Sequence, residues 1–152
     1  MPGEASVDVK AAVIREKSGK FLIEDLSLEA PRSDEVLIRV AGVGVCHTDL
    51  VCRDQYFPVP LPCVFGHEGS GIVESVGKSV TKVKPGDRVV LSVLSCGHCE
   101  PCLEHSPGYC HELYDCNFAA TRLDASTTLR KGDEVIHGNF FNQSSFATHA
   151  LA

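Results

Sequence analysis

The chain has 152 residues, 43% hydrophobic and 22% charged, with a formal net charge of −6, and that acidic balance works against nucleic acid as a partner because phosphate binding needs a Lys/Arg surplus. No apolar run approaches the roughly 20 residues of a membrane span, and the opening MPGEASVDVK carries no apolar signal segment. A single domain with no membrane partner is therefore expected, and the eight cysteines suit a reducing, cytoplasmic setting in which thiols stay free.

The predicted elements are short strands separated by glycine and proline. Val7 to Ile14, Phe21 to Leu26 and Glu35 to Val43 carry β-branched residues in alternation, and Val36, Ile38 and Val40 are expected on one face. Ser18 and Gly19 read as the first turn and Pro31 to Asp34 as the second. A helix is expected just after Cys46, with Thr48 or Asp49 in its first turn. Gly71 to Val76 reads as a strand. Pro85, Gly86 and Asp87 form a tight turn feeding a strand from Asp87 to Val93, and Phe146 to Ala152 reads as a last strand. Strands and turns at these intervals favour a mainly β fold with small helices, a compact β-barrel. Ser95 to about Tyr114 then leaves the barrel as a lobe too poor in apolar residues to fold unaided.

That lobe holds Cys96, Cys99, Cys102 and Cys110 in the pattern CxxCxxCx7C. Four thiolates so close in sequence suit one tetrahedral zinc ion, and four protein ligands leave no open position, so such a site is structural. Neighbouring cysteines at CxxC spacing would strain a disulfide. Iron also accepts four thiolates, and spacing alone does not separate the two metals.

A second constellation lies upstream. Cys46 sits where a helix starts, and a helix N-terminus favours the thiolate. Some twenty residues later, His67 and Glu68 stand in Gly66-His-Glu-Gly69-Ser-Gly71, where glycines let backbone and ligand come close. Each residue has a plainer alternative: Cys46 as a buried core thiol, His67 as a hydrogen-bonded core histidine, Asp49 as a helix cap, His47 as a solvated surface side chain.

CHTD at 46–49, GHEGSGIVESVG at 66–77, PGDRVV at 85–90 and the cysteine cluster occur together in the order and spacing of the zinc-dependent medium-chain alcohol dehydrogenases, which this chain resembles from about Val7 onward. The resemblance is closest to members that oxidise aryl and allylic primary alcohols. It implies a GroES-like barrel with the zinc lobe inserted at about 95–114. Cys46 and His67 would be two ligands of a catalytic zinc, Glu68 a nearby carboxylate that approaches the metal during ligand exchange, and Asp49 a partner of His67. Thr48 would pass on the proton of the alcohol, and His47 would sit against the coenzyme pyrophosphate. The implied reaction is oxidation of an alcohol to an aldehyde with hydride transfer to NAD, by an enzyme that is homo-oligomeric at full length. Val51 stands where many relatives end the proton relay with histidine, so the relay must leave by another route, through coenzyme ribose and water or through His47. Val93, Phe57, Phe140 and Phe141 fall in regions that line the alcohol pocket of the family; the plainer reading is that these rings fill the barrel core.

None of the thirteen glycines builds GxGxxG, so no coenzyme-binding Rossmann domain is expected within residues 1–152; the resemblance implies that this domain and the third catalytic ligand lie outside them, and these residues alone are expected to be inactive. Cys52, Cys63 and Cys116 are read as core or surface thiols rather than as that ligand. The alternative function is a free-standing, non-catalytic zinc-binding module.

Overall fold

The computed structural model describes residues 6–152. The strands are β1 (Val7–Ile14), β2 (Leu22–Leu28), β3 (Val36–Val43), β4 (Cys63–Val64), β5 (Gly69–Val76), β6 (Arg88–Val90), β7 (Leu129–Lys131), β8 (Glu134–Ile136) and β9 (His149–Leu151). β1 spans the residues its alternation predicts, with Val9, Ala11 and Val13 buried at every second position. β2 is shifted toward Leu28, while the expected strands at Asp87–Val93 and Phe146–Ala152 shorten to β6 and β9.

β3 keeps Val36, Ile38 and Val40 at alternate positions, none of them exposed, and Leu37 between them is buried as well, in the core between the sheets. Its pairing with β5 steps from Leu37–Ser75 to Ile38–Val73, which leaves one residue over on β5 as a bulge. The hairpin of β7 and β8 was not anticipated. Its signal is the two-residue Gly132-Asp133 turn, with Gly132 at φ 59°, between very short strands.

Five strands form one antiparallel sheet in the order β4-β1-β2-β7-β8, and four form another in the order β6-β5-β3-β9. The first sheet curls until its outer members meet: the Val64 N–H donates to the His137 carbonyl (3.0 Å), just beyond β8, and the His137 N–H donates to the Pro62 carbonyl (2.8 Å). One edge of β1 serves both sheets. Its end pairs with β4, while Ala12 N–H donates to the Phe146 carbonyl and Lys10 accepts from Thr148, both at 2.8 Å. Between the sheets Val9, Val13, Leu26, Leu37, Val64 and Ile136 form a contiguous core.

The lobe carries α2 (Glu100–Leu103), numbered after α1 (His47–Arg53), and leads into α3 (Leu113–Asn117). No residue from Ser95 to Tyr109 is buried, and Cys110 is the first that is. Past α3 the chain is tied back to the barrel by Arg122, whose guanidinium donates to Glu35 and to Glu29 (2.9 Å). Among the described residues no helix is long and apolar enough to cross a membrane.

Candidate functional site

Cys46 is the N-cap of α1, and its extended backbone turns its N–H onto Asp49 Oδ2 at 3.0 Å. The other carboxylate oxygen, Oδ1, accepts the Gly66 N–H (3.1 Å) and lies 3.2 Å from His67 Nδ1. Asp49 is therefore both helix cap and histidine partner, and the two alternative readings of it are both correct. A carboxylate facing Nδ1 selects the tautomer that carries hydrogen there, which leaves the Nε2 lone pair free for a metal.

Ligand atoms of Cys46, His67 and Glu68 all lie within 4.8 Å of one another. The Thr48 backbone N–H and hydroxyl lower the Cys46 thiol pKa, with Sγ and Thr48 Oγ1 3.6 Å apart. The Asp49 hydrogen bond raises the pKa of His67 against the opposing effect of burial. Two glycines make the approach possible. A β-carbon on Gly44 would collide with the Glu68 side chain, and one on Gly66, at φ 93°, would stand 2.5 Å from the Phe146 nitrogen. His47 is exposed beside this cluster on the first residue of α1.

The phenylalanines divide. Phe140 is fully buried against Phe65 in a second core cluster, so for it the core reading holds. Phe141 instead stacks on the His67 ring, centroids 4.7 Å apart, held at φ 51° by an irregular turn. From Phe141 the rings continue to Phe118 (4.8 Å) and from Phe118 to Phe57 (4.4 Å) and Tyr114 (5.7 Å). Sequence reasoning missed Tyr114 and Phe118, the first within α3 and the second just after it, with no motif to mark them. Val93 is 43% exposed. Also missed was Gln143, whose Oε1 accepts the Gly69 N–H at 3.0 Å from the far end of the chain.

In the lobe the Sγ atoms of Cys99 and Cys102, Cys99 and Cys110, and Cys96 and Cys102 are separated by 3.4, 3.9 and 4.0 Å. Zinc–thiolate bonds of about 2.3 Å at tetrahedral angles place sulfurs about 3.8 Å apart. A disulfide requires about 2.05 Å, and all eight cysteines are free. Backbone amides point into the cluster, with Cys96 N–H donating to Cys110 Sγ (3.3 Å) and Cys99 N–H to Cys96 Sγ (3.4 Å). The His111 and Cys102 amides hold the Cys99 thiol down at about 6, while burial pushes Cys102 up to about 11. Four thiolates at these separations repel one another, and a dication is the partner that lets them coexist.

Cys52, Cys63 and Cys116 are buried and join neither cluster. Burial raises the pKa of all three, to about 11 for Cys52 and Cys116, as expected of thiols that pack rather than coordinate.

The alcohol dehydrogenase GroES-like domain family matches residues 32–123. The chain belongs to this family. Geraniol dehydrogenase of Castellaniella defragrans is 53% identical to this GroES-like domain over 147 residues, which is 96% of the chain and 39% of that protein. The alcohol dehydrogenase zinc-binding domain protein from Burkholderia ambifaria superposes with a TM-score of 0.94 at 49% identity, covering 97% of the chain and 40% of its own. Benzyl alcohol dehydrogenase from Acinetobacter calcoaceticus gives 0.90 at 45% identity, covering 96% of the chain and 39% of its own. The GroES-like fold expected from the motifs is thus the fold observed, and the chain spans about 39 to 40% of the length of these relatives.

Proposed function

We propose that the chain is the zinc-binding part of the catalytic domain of an NAD-dependent alcohol dehydrogenase that oxidises aryl or allylic primary alcohols to aldehydes. The observation that carries this reading is the convergence of Cys46, His67 and Glu68 within 4.8 Å, with His67 stacked on Phe141. Cys46 Sγ and His67 Nε2 would hold zinc, which supplies Lewis-acid polarisation of an alcohol oxygen, with NAD as the hydride acceptor.

The residues of the chain supply position and proton handling. Asp49 fixes the His67 tautomer and, through the Cys46 N–H, the sulfur that works beside it. Thr48, next to Cys46 Sγ, receives the alcohol proton on its hydroxyl oxygen and passes its own onward. Val51 has no proton to exchange, so the proton would leave Thr48 through water or by way of exposed His47, a residue that would also meet the coenzyme pyrophosphate. Glu68 stands ready to approach the metal when ligands exchange. Phe141, Phe118 and Phe57 offer ring faces to an unsaturated or aromatic chain, each ring pair adding about 0.5 to 1.5 kcal/mol beyond area burial. The names of the relatives that act on geraniol and benzyl alcohol agree with such a wall. Cys96, Cys99, Cys102 and Cys110 hold a second, structural zinc, and the full-length enzyme is a homo-oligomer of the cytoplasm.

Two measurements test the reading. After mild chelation the chain should retain about one zinc, held by four thiolates, because Cys46 and His67 are fewer than the three protein ligands of a catalytic site. In a full-length enzyme carrying this domain, Thr48→Ala should lower kcat by about 10²-fold. Unchanged turnover would remove Thr48 from the proton path.

A further inference from the structure

Beside the four sulfurs, ligand atoms of Cys96, His98 and Glu112 also lie within 4.8 Å of one another. Cys96 belongs to both groups. His98 and Glu112 are open to water, at 70% and 45% side-chain exposure, whereas Cys110 is buried. The exposed pair is held in place: His98 Nδ1 lies 2.9 Å from the Cys96 carbonyl, an acceptor only, so Nδ1 carries hydrogen and Nε2 is turned to Glu112 Oε1 at 3.1 Å. The surroundings favour a cation. Between Arg88 and Arg122 the sequence has no Lys or Arg, but it has Glu100, Glu104, Glu112 and Asp115.

We propose that Cys96, His98 and Glu112 form a loading site through which zinc reaches the four-cysteine cluster. The inference rests on the reading of that cluster as a zinc site. A hydrated ion meets the exposed imidazole and carboxylate first, ligands that zinc accepts as readily as thiolate. Cys96 joins, and because it is shared, the ion moves without ever being released. The zinc–nitrogen and zinc–oxygen bonds break as bonds to Cys99, Cys102 and Cys110 form. Each cysteine still protonated when it binds, Cys96 at the first step and the others at the second, gives its proton to water, with the freed imidazole and carboxylate as the nearest bases in the second step. Run backwards, the same steps give up zinc to a competing chelator.

The test follows zinc alone, added to the reduced, metal-free chain and later withdrawn by a chromophoric chelator. Glu112→Gln keeps the His98 hydrogen bond to Cys96 and removes one ligand; His98→Ala removes the other. Both variants should slow uptake and release on the order of tenfold, the scale on which neighbours of metal ligands act, with final zinc content unchanged. Wild-type rates in both variants would overturn the loading site and leave the cluster reading intact. A wild-type chain that takes up no zinc would overturn both. Cobalt(II) gives an independent readout in the wild-type chain: a mixed sulfur, nitrogen and oxygen spectrum should precede the tetrathiolate one, and growth of the tetrathiolate spectrum alone would contradict the proposal.

Discussion

Asp49 Oδ1 lies 3.2 Å from His67 Nδ1 while its partner oxygen accepts the Cys46 N–H at 3.0 Å, so one buried carboxylate sets the orientation of both residues offered to a metal. The carboxylate is fully buried and also accepts the Gly66 N–H. Asp49→Asn must turn an N–H₂ toward one of these donors and leave it unsatisfied. The variant should unfold about 2 to 4 kcal/mol more easily in denaturant. In a full-length enzyme it should bind catalytic zinc about 10 to 100 times more weakly. Wild-type stability would show that Asp49 is dispensable to the fold.

Removing one sulfur from the lobe has a different signature. Cys99 lies within 3.9 Å of both Cys102 and Cys110, and the lobe buries nothing between Ser95 and Tyr109 to replace the metal. Cys99→Ser should release the retained zinc and unfold the lobe, since structural zinc contributes on the order of 10 kcal/mol to small sites. Zinc analysis and protease sensitivity near Leu103 would show it; an unchanged melting profile would deny the metal a structural role.

Acid stability isolates one ion cluster on the barrel. Arg15 donates to both oxygens of Glu24 (2.7 and 2.6 Å), Lys131 adds a third contact, and together they hold the Glu24 carboxyl at about 2. A carboxyl depressed in the folded state stabilises it fully above the unfolded value, near 4.3, and loses that contribution as pH falls toward 2. The difference in melting temperature between the wild-type chain and Glu24→Gln should be present at pH 6 and shrink across this window. A difference constant with pH would place the effect elsewhere.

Arg122 joins the segment after α3 to the barrel through Glu35 and Glu29, with its own side chain 7% exposed. Arg122→Ala leaves the nearly buried Glu35 unpaired and should cost about 3 to 5 kcal/mol, whereas Arg122→Met with Glu35→Leu should recover much of it. Equilibrium denaturation of the two variants decides whether the loss comes from an orphaned charge or from packing.

Substrate preference tests the ring wall. A full-length enzyme carrying this domain should favour benzyl-type or allylic primary alcohols over ethanol by at least about tenfold in kcat/KM, since one added apolar group is worth roughly 1 to 3 kcal/mol. Phe141→Ala should reduce that ratio. Phe140→Ala should instead lower stability, by about 3 to 5 kcal/mol for a buried ring. Indifference of the ratio to Phe141→Ala would mean that the alcohol does not touch this wall.

What the sequence by itself determined is local. The four cysteines fall within fifteen residues, so their spacing alone brings them to one knuckle, and strand β1 follows from a period of two that needs no distant partner. The GHEGSG segment and CHTD were legible as motifs, and the resemblance they carry matches the family observed. Tertiary structure decided the rest. Whether Asp49 caps a helix or orients His67 depended on a loop seventeen residues away, and it does both. Phe140 and Phe141 are neighbours in sequence with identical side chains, yet a positive φ at Phe141 sends one into the core and the other onto His67. Leu37 and Ile38 are consecutive on β3 yet both buried, Leu37 in the core between the sheets and Ile38 outside that cluster, paired with Val73 of β5. Such choices are made by packing between segments far apart in the chain, and no local period or spacing records them.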